Sequence, residues 1–189
     1  TVAGTLPGLF AERCRRSPQA EAYRQFDAAG GAWRSLTWAE VGTQAERWRA
    51  ALATEGLTPG DRVAIMLRNS VEWVCFDQAA QSLGLVVVPL YPTDNAENIA
   101  YILGDCGARV LLLDEPFSAV DEQTRRKFQE DLIRLREVEN KTFLFVTHSI
   151  EEAVYVSDQI VILTGGPSRV SKIVRPGLDH SAGSDSVRR

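Results

Sequence analysis

Arg109-Val110-Leu111-Leu112-Leu113-Asp114-Glu115-Pro116 decides the fold. Four apolar residues in succession, ended by two carboxylates and a proline, read as a short strand buried on both faces. Such strands belong to parallel sheets covered by helices rather than to sheets with one wet face. The carboxylates then fall at the strand's C-terminal end, the edge on which open parallel sheets bind ligands.

Working outward, strand and helix alternate on both sides of this segment. Upstream, Val63 to Leu67 and Val86 to Leu90 read as strands. Val71 to Leu83 and Asp94 to Gly104 read as helices, the latter with Asp94 and Glu97 at capping spacing. Downstream, Asp121 to Val138 reads as a helix with Phe128, Leu132 and Leu135 inward. Thr142 to Thr147 follows as a strand, and Ser149-Ile150-Glu151-Glu152 as a capping box opening a helix to Ser157. Gln159 to Leu163 and Val170 to Val174 flank Gly165-Gly166-Pro167 and read as a closing hairpin.

The N-terminal part is patterned differently. Residues 5 to 16 form a helical period with Leu6, Leu9, Phe10 and Cys14 on one face. Ala22 to Phe26 and Ala32 to Leu36 flank a glycine turn. Thr37-Trp38-Ala39-Glu40 is a capping box, opening a helix that aligns Trp38, Val41, Ala45, Trp48 and Leu52. The expected class is therefore α/β: a parallel, doubly wound, three-layer sheet with an N-terminal helix–hairpin–helix extension and a C-terminal β-hairpin. Residues 60 to 164 are expected to share one sheet, with Leu112 fully buried. Residues 177 to 189, repeating Ser, Gly and Asp, are expected to be a disordered tail.

Composition narrows the function. The 189 residues are 44% hydrophobic, enough for a core, and carry a net charge of −4. No basic block stands ready to neutralise phosphates, which excludes a nucleic-acid partner. No apolar run reaches spanning length, which excludes membrane insertion. Cys14, Cys75 and Cys106 have neither paired nor metal-binding spacing, so reduced thiols in a cytoplasmic protein are expected. Oligomeric state is not legible.

A compositional break coincides with the central strand. Trp33, Trp38, Trp48, Trp73 and the three cysteines precede it, whereas Lys127, Lys141 and Lys172 follow it. No linker marks the change, so two segments must share one sheet there.

The two sides resemble different families. Leu111-Leu112-Leu113-Asp114-Glu115-Pro116-Phe117-Ser118-Ala119-Val120-Asp121 resembles the Walker B and D-loop segment of ABC transporter ATPases. The run from Phe145 through His148 to Leu163 resembles the switch-histidine segment of the same family, in the nitrate, sulfonate and taurine importer group. The resemblance implies that Asp114 holds Mg²⁺ through water and that Glu115 orients the attacking water. It implies that His148 reaches the γ-phosphate, and that Ser118 and Asp121 face a second ATPase subunit and its nucleotide. It also implies contact with a transporter subunit. The Gly-x-x-x-x-Gly-Lys-Ser/Thr phosphate loop is absent from the sequence, as are the family's glutamine loop and Leu-Ser-Gly-Gly-Gln signature. These site residues are therefore expected to be vestigial, with no cofactor expected and Mg²⁺ and ATP as the alternative.

On the other side, Leu36 to Glu40, Gly60-Asp61-Arg62-Val63-Ala64-Ile65-Met66-Leu67-Arg68-Asn69-Ser70, Trp73, and Gly84 to Pro92 resemble the start of adenylate-forming enzymes, especially long-chain acyl-CoA synthetases. That resemblance implies a scaffold segment. The phosphate loop with its lysine, the adenine-binding motifs and the catalytic lysine of that family match nothing here. The expected organisation is a chimera: residues 1–113 synthetase-like, residues 114–176 ABC-like in the same sheet, and residues 177–189 as tail. No autonomous catalysis is expected; the alternatives are a residual Mg²⁺ or nucleotide module, or the parents' acyl-CoA ligase or ATPase activity.

The two resemblances disagree about strand order. The ATPase pattern puts the histidine strand between the Walker B strand and the Walker A strand, and Val63 to Leu67 with its following helix could fill the missing Walker A slot. The synthetase pattern puts Val63 to Leu67 directly beside Arg109 to Leu113.

Overall fold

The computed structural model describes residues 4–27, 30–91, 94, 96–116, 121–139, 142–164 and 168–177. Four parallel strands form the central sheet: β3 (Arg62–Met66), β4 (Val86–Pro89), β5 (Val110–Asp114) and β6 (Thr142–Val146), in the order β4-β3-β5-β6. Leu112 pairs with Ile65 on one side and Leu144 on the other. The synthetase arrangement therefore prevails, and the histidine strand is displaced to the outer edge. The cause is lateral hydrogen bonding: β5 has two sides, β3 occupies one, and only the far side remains for β6.

The two faces of β5 serve two cores. Leu111 and Leu113 join Ala64 and Met66 against α4 (Ala96–Cys106) and α5 (Glu122–Glu139), through Ile99, Leu103, Phe128 and Leu132. Val110 and Leu112 join Val63 and Ile65 against α2 (Trp38–Leu52) and α3 (Val71–Ser82), through Leu52, Phe76, Ala79 and Ala80. Leu112 is 3% exposed. Helices thus cover both faces, the three-layer arrangement that a doubly apolar strand requires.

A third cluster seats the N-terminal extension. Here α1 (Leu6–Arg16) and the antiparallel hairpin of β1 (Glu21–Asp27) and β2 (Ala32–Thr37) pack beside α2 and α3 around Val41, Ala45, Val71 and Cys75. The Thr37–Glu40 capping box forms: the Thr37 N–H donates to the Glu40 carboxylate at 2.7 Å, and the Glu40 N–H donates to Thr37 Oγ1 at 3.3 Å. In α1 the periodicity overstated burial. Leu6 and Leu9 remain exposed, and only Phe10 packs against the cluster, because a terminal helix lying over two others has one narrow line of contact.

Two boundaries and one cap differ from the sequence reading. α4 begins at Ala96 rather than Asp94, whose carboxylate accepts from the Tyr91 N–H at 3.4 Å and closes a turn instead of capping a helix. The sheet ends at Val146, so residues 147–164 lie outside it. The chain enters α6 (Ile150–Val156), then a separate antiparallel hairpin of β7 (Ile160–Leu163) and β8 (Val170–Val174). Only half of the capping box at α6 forms. Ser149 Oγ accepts from the Glu152 N–H at 3.3 Å, but the Glu152 carboxylate takes the Thr147 hydroxyl at 2.6 Å, and the Ser149 N–H donates to Thr147 Oγ1 at 3.0 Å. The glycine turn of the closing hairpin, the tail from 178 to 189, and the Leu135 side chain lie outside the described residues. No described helix is long and apolar enough to cross a membrane.

Candidate functional site

The sheet's two ends differ in chemistry. At the N-terminal end of the strands, Arg62 Nε donates to the Cys106 carbonyl at 2.6 Å, and Arg109 pairs with Asp61 at 2.8 Å, closing that edge. At the C-terminal end, the chain leaving β5 and β6 brings Asp114, Glu115, Thr147 and His148 together, and the chain leaving β3 adds Arg68, Ser70 and Glu72.

Glu115 is the centre of this group. It turns out of β5 with φ of 48°, the only non-glycine in left-handed conformation among the described residues. Its N–H donates to the Val146 carbonyl at 2.9 Å, which fixes the turn to the end of β6. Its carboxylate accepts from the His148 backbone N–H at 2.9 Å and lies 2.8 Å from His148 Nδ1. The carboxylate's bond to the ring and its negative charge raise the His148 pKa above its ordinary value, and Glu152 adds to the effect. His148 is otherwise in solvent, its side chain 84% exposed.

Asp114 is held differently. Burial raises its carboxyl pKa first, and the negative charges of Glu115 and Glu72 raise it further, against a smaller opposing pull from Arg68. A carboxyl in that balance resists ionisation. Asp121 stands immediately before α5, and its carboxylate accepts from the Gln123 N–H at 3.1 Å, the position and bond of an N-cap. Ser118 falls in residues 117–120, outside the described set. Sequence reasoning missed Gln25 and Glu72. Gln25 reaches across from β1, its Oε1 accepting from the Val71 N–H at 2.8 Å and its Nε2 donating to Glu72 at 3.3 Å. Nothing in the local pattern around Gln25 announces a contact 46 residues away.

Helix starts are the natural phosphate sites of such a fold. At α3, beside Asp114, two of those donors are already taken. Val71 gives its N–H to Gln25, and Trp73 gives its N–H to Ser70 Oγ at 3.2 Å. The Glu72 carboxylate stands in the same turn. Among the described residues no three His, Cys, Asp or Glu side chains converge as a metal site. Among the described residues, the start of α3 is therefore a poor place for a phosphate.

Comparison with known proteins gives both sides of the sequence a counterpart. An uncharacterized ABC transporter ATP-binding protein of Methanocaldococcus jannaschii is 45% identical over 78 residues, 41% of this chain and 29% of that protein. An aliphatic sulfonates import ATP-binding protein of Xanthomonas axonopodis is 51% identical over 67 residues, 35% of this chain and 27% of that protein. The chain thus spans less than a third of the length of these curated relatives. Among solved structures, a Mycobacterium tuberculosis fatty acyl CoA synthetase superposes with TM-score 0.59 and 28% identity, covering 77% of this chain and 27% of that one. The N-terminal subdomain of NpsA from Klebsiella oxytoca superposes with TM-score 0.50 and 32% identity over 57% of this chain and 26% of that one. The AMP-binding enzyme family matches residues 10–168, a span that crosses β5 and includes Asp114, Glu115 and His148. With a synthetase-like sheet order and ABC-like segments in one polypeptide, the chain is a chimera in sequence, and by the extent of that match it belongs to the AMP-binding enzyme family.

Proposed function

We propose that this chain is a folded scaffold without catalytic turnover of its own, joined at residues 113 and 114 inside β5. One observation carries the reading: the Val71 and Trp73 N–H groups at the start of α3 are taken by Gln25 and Ser70, with the Glu72 carboxylate beside them. A triphosphate arriving there would find two of the turn's donors engaged and a repelling charge. The sequence supports the same conclusion, because no Gly-x-x-x-x-Gly-Lys-Ser/Thr supplies another cradle. Glu115, the candidate base, has its carboxylate engaged by the His148 backbone N–H and ring. Asp114, Glu115 and His148 are in this view remnants of the ABC-like pattern, Asp121 is a helix cap, and no cofactor is required.

The test is direct. Purified chain incubated with Mg-ATP should release phosphate at the background rate, and with ATP and a fatty acid it should form no acyl-adenylate. Turnover that vanishes in Glu115→Gln would overturn the proposal. Millimolar Mg-ATP should leave the melting temperature unchanged, since a ligand that binds only the folded state must raise it. Contact with a transporter subunit, suggested by the names of the ABC-like relatives, is a separate proposal. A pull-down with importer membrane subunits tests it, and no recovery above a bead control would end it.

A further inference from the structure

We propose that the groove between α1, α2 and α3 binds a small amphipathic anion, its apolar tail laid along the helices and its single negative charge held by Arg15 and Arg47.

The groove follows from where α1 sits. As a terminal helix it lies over two others, and it comes close to α2 at Cys14: a Cβ on Gly42 would stand 3.1 Å from Cys14 Sγ. Beside that contact the facing residues are short. Ala11 of α1, Ala45 of α2 and Ala79 of α3 end at a methyl group, and Phe10 and Trp38 complete the wall with ring centroids 5.9 Å apart. A cleft of about 710 Å³ remains, within the roughly 300–1,000 Å³ of small-molecule sites. Longer side chains at these positions would fill it, as interiors normally are filled.

A polar atom in the wall points the same way. Gln78 of α3 donates its Nε2 to the Asp77 carboxylate at 3.2 Å and leaves its Oε1 buried without a partner. The carboxylate fixes which end of the amide is which, since only an N–H can face it. A buried acceptor left without a donor is rare where side chains complete their own packing.

The rim sets the charge of the ligand. Four charged side chains stand on it: Arg15, Glu46, Arg47 and Arg49. Glu46 is engaged by Arg49, whose Nε donates to its carboxylate at 2.7 Å. Arg15 and Arg47 are exposed and form no ion pair among the described residues. The other arginines of α1 are committed elsewhere. Arg13 lies over the Trp38 ring, 5.7 Å from its centroid, and Arg16 pairs with Glu12 at 2.8 Å. The rim thus sets two uncompensated guanidinium groups above apolar walls. An anionic head gains charge-assisted hydrogen bonds there, a cationic one is repelled, and a neutral one gains only the apolar contact. A polyanion would bring charge without the apolar surface that the walls ask for. One charge and a tail meet both demands.

N-Decanoylglycine, an anion at pH 7, is the probe. N-Decanoylethanolamine, with the same tail and amide but no charge, is its control. Calorimetric titration of the wild-type chain up to about 1 mM should show one saturable site for the anion. The neutral analogue should bind about tenfold more weakly, a difference that one charge-assisted contact can supply. Arg15→Gln combined with Arg47→Gln should bring the two affinities together, whereas Arg175→Gln, beyond β8, should leave the preference intact. Because Cys14 lines the groove and Cys106 does not, bound probe should slow alkylation of Cys14 by N-ethylmaleimide and leave Cys106 at its own rate. Ala11→Trp, filling the cleft from an exposed position, should abolish binding of both compounds. No saturation by 1 mM, equal affinities in the wild type, a preference that survives loss of both arginines or is lost equally in Arg175→Gln, an unprotected Cys14, or binding that persists in folded Ala11→Trp would each overturn the proposal. Should Ala11→Trp fail to fold, the protection of Cys14 and the arginine variants decide alone.

Discussion

Glu115 holds His148 at two points: its carboxylate accepts from the His148 backbone N–H at 2.9 Å and lies 2.8 Å from the ring Nδ1. One carboxylate thereby ties the exit of β5 to the exit of β6, across the place where the two parental patterns meet.

This contact predicts a pH dependence with a definite sign. The bond to Glu115 raises the His148 pKa, so the folded state holds the proton more tightly than the unfolded chain. The stability it contributes is fully present below the unfolded value near 6.5 and is lost as pH rises through the folded value. Titration by NMR should place His148 above 6.5, with His180 as a second resonance for comparison. In Glu115→Gln the His148 midpoint should fall back toward its ordinary value; an unmoved midpoint would show that Glu115 is not the cause.

Asp114 predicts the opposite kind of substitution effect. Burial and two neighbouring carboxylates oppose its ionisation, so its charge is a cost at neutral pH. By linkage, a raised carboxyl pKa gives stability that is complete below the unfolded value and declines as pH rises through the folded value. Asp114→Asn should therefore stabilise the chain at pH 7, by at most about 1 kcal/mol once solvent screening is allowed for. At pH 3 the difference should disappear. A clear loss of stability at pH 7 would indicate that the carboxylate is wanted for something the described residues do not supply.

Leu112 tests whether the junction strand belongs to one cooperative unit. It sits between Ile65 and Leu144 in the sheet and beneath Leu52 and Phe76. Leu112→Ala should cost roughly 2–5 kcal/mol, the usual range for opening a cavity in a packed core. Against a total stability of roughly 5–15 kcal/mol, that is a large fraction. Calorimetry should show a single transition moving down in temperature. Two transitions, only one of them displaced, would mean that the segments on either side of β5 unfold independently.

The alternation of strands and helices was legible because each strand in the sheet is a short apolar run and each helix keeps its period. Leu111 and Leu112 show why: both are buried, on opposite faces, as an unbroken apolar run requires. What the sequence did not resolve was order. The local patterns around Val63 and Phe143 suit a place beside β5 equally well, and in the sheet both strands have one, on opposite sides. The site was legible in part. Asp114, Glu115 and His148 announce themselves by lying at strand ends, but Gln25 arrives from a distant hairpin to cap Val71. The exposure of Leu6, Leu9 and Leu144 was hidden for a similar reason: periodicity shows which face is apolar, and burial depends on whether another element lies over it.

The backbone of Glu115 carries the last prediction. At φ of 48° a residue with a Cβ is strained, whereas glycine adopts that conformation freely. Comparing Glu115→Ala with Glu115→Gly isolates this strain, since both remove the carboxylate and its two contacts with His148. In most elements glycine is the less stable of such a pair by roughly 0.5–1 kcal/mol, because its unfolded chain has more freedom to lose. Here the left-handed strain, roughly 1–2 kcal/mol for a residue with a side chain, works against alanine and is the larger quantity. Glu115→Gly should therefore be more stable than Glu115→Ala by about 1 kcal/mol, read from urea midpoints at equal slope. If alanine proves equal or better, the left-handed turn relaxes once the carboxylate is gone. The hold on His148, and not the path of the chain out of β5, would then be what keeps Glu115 in that conformation.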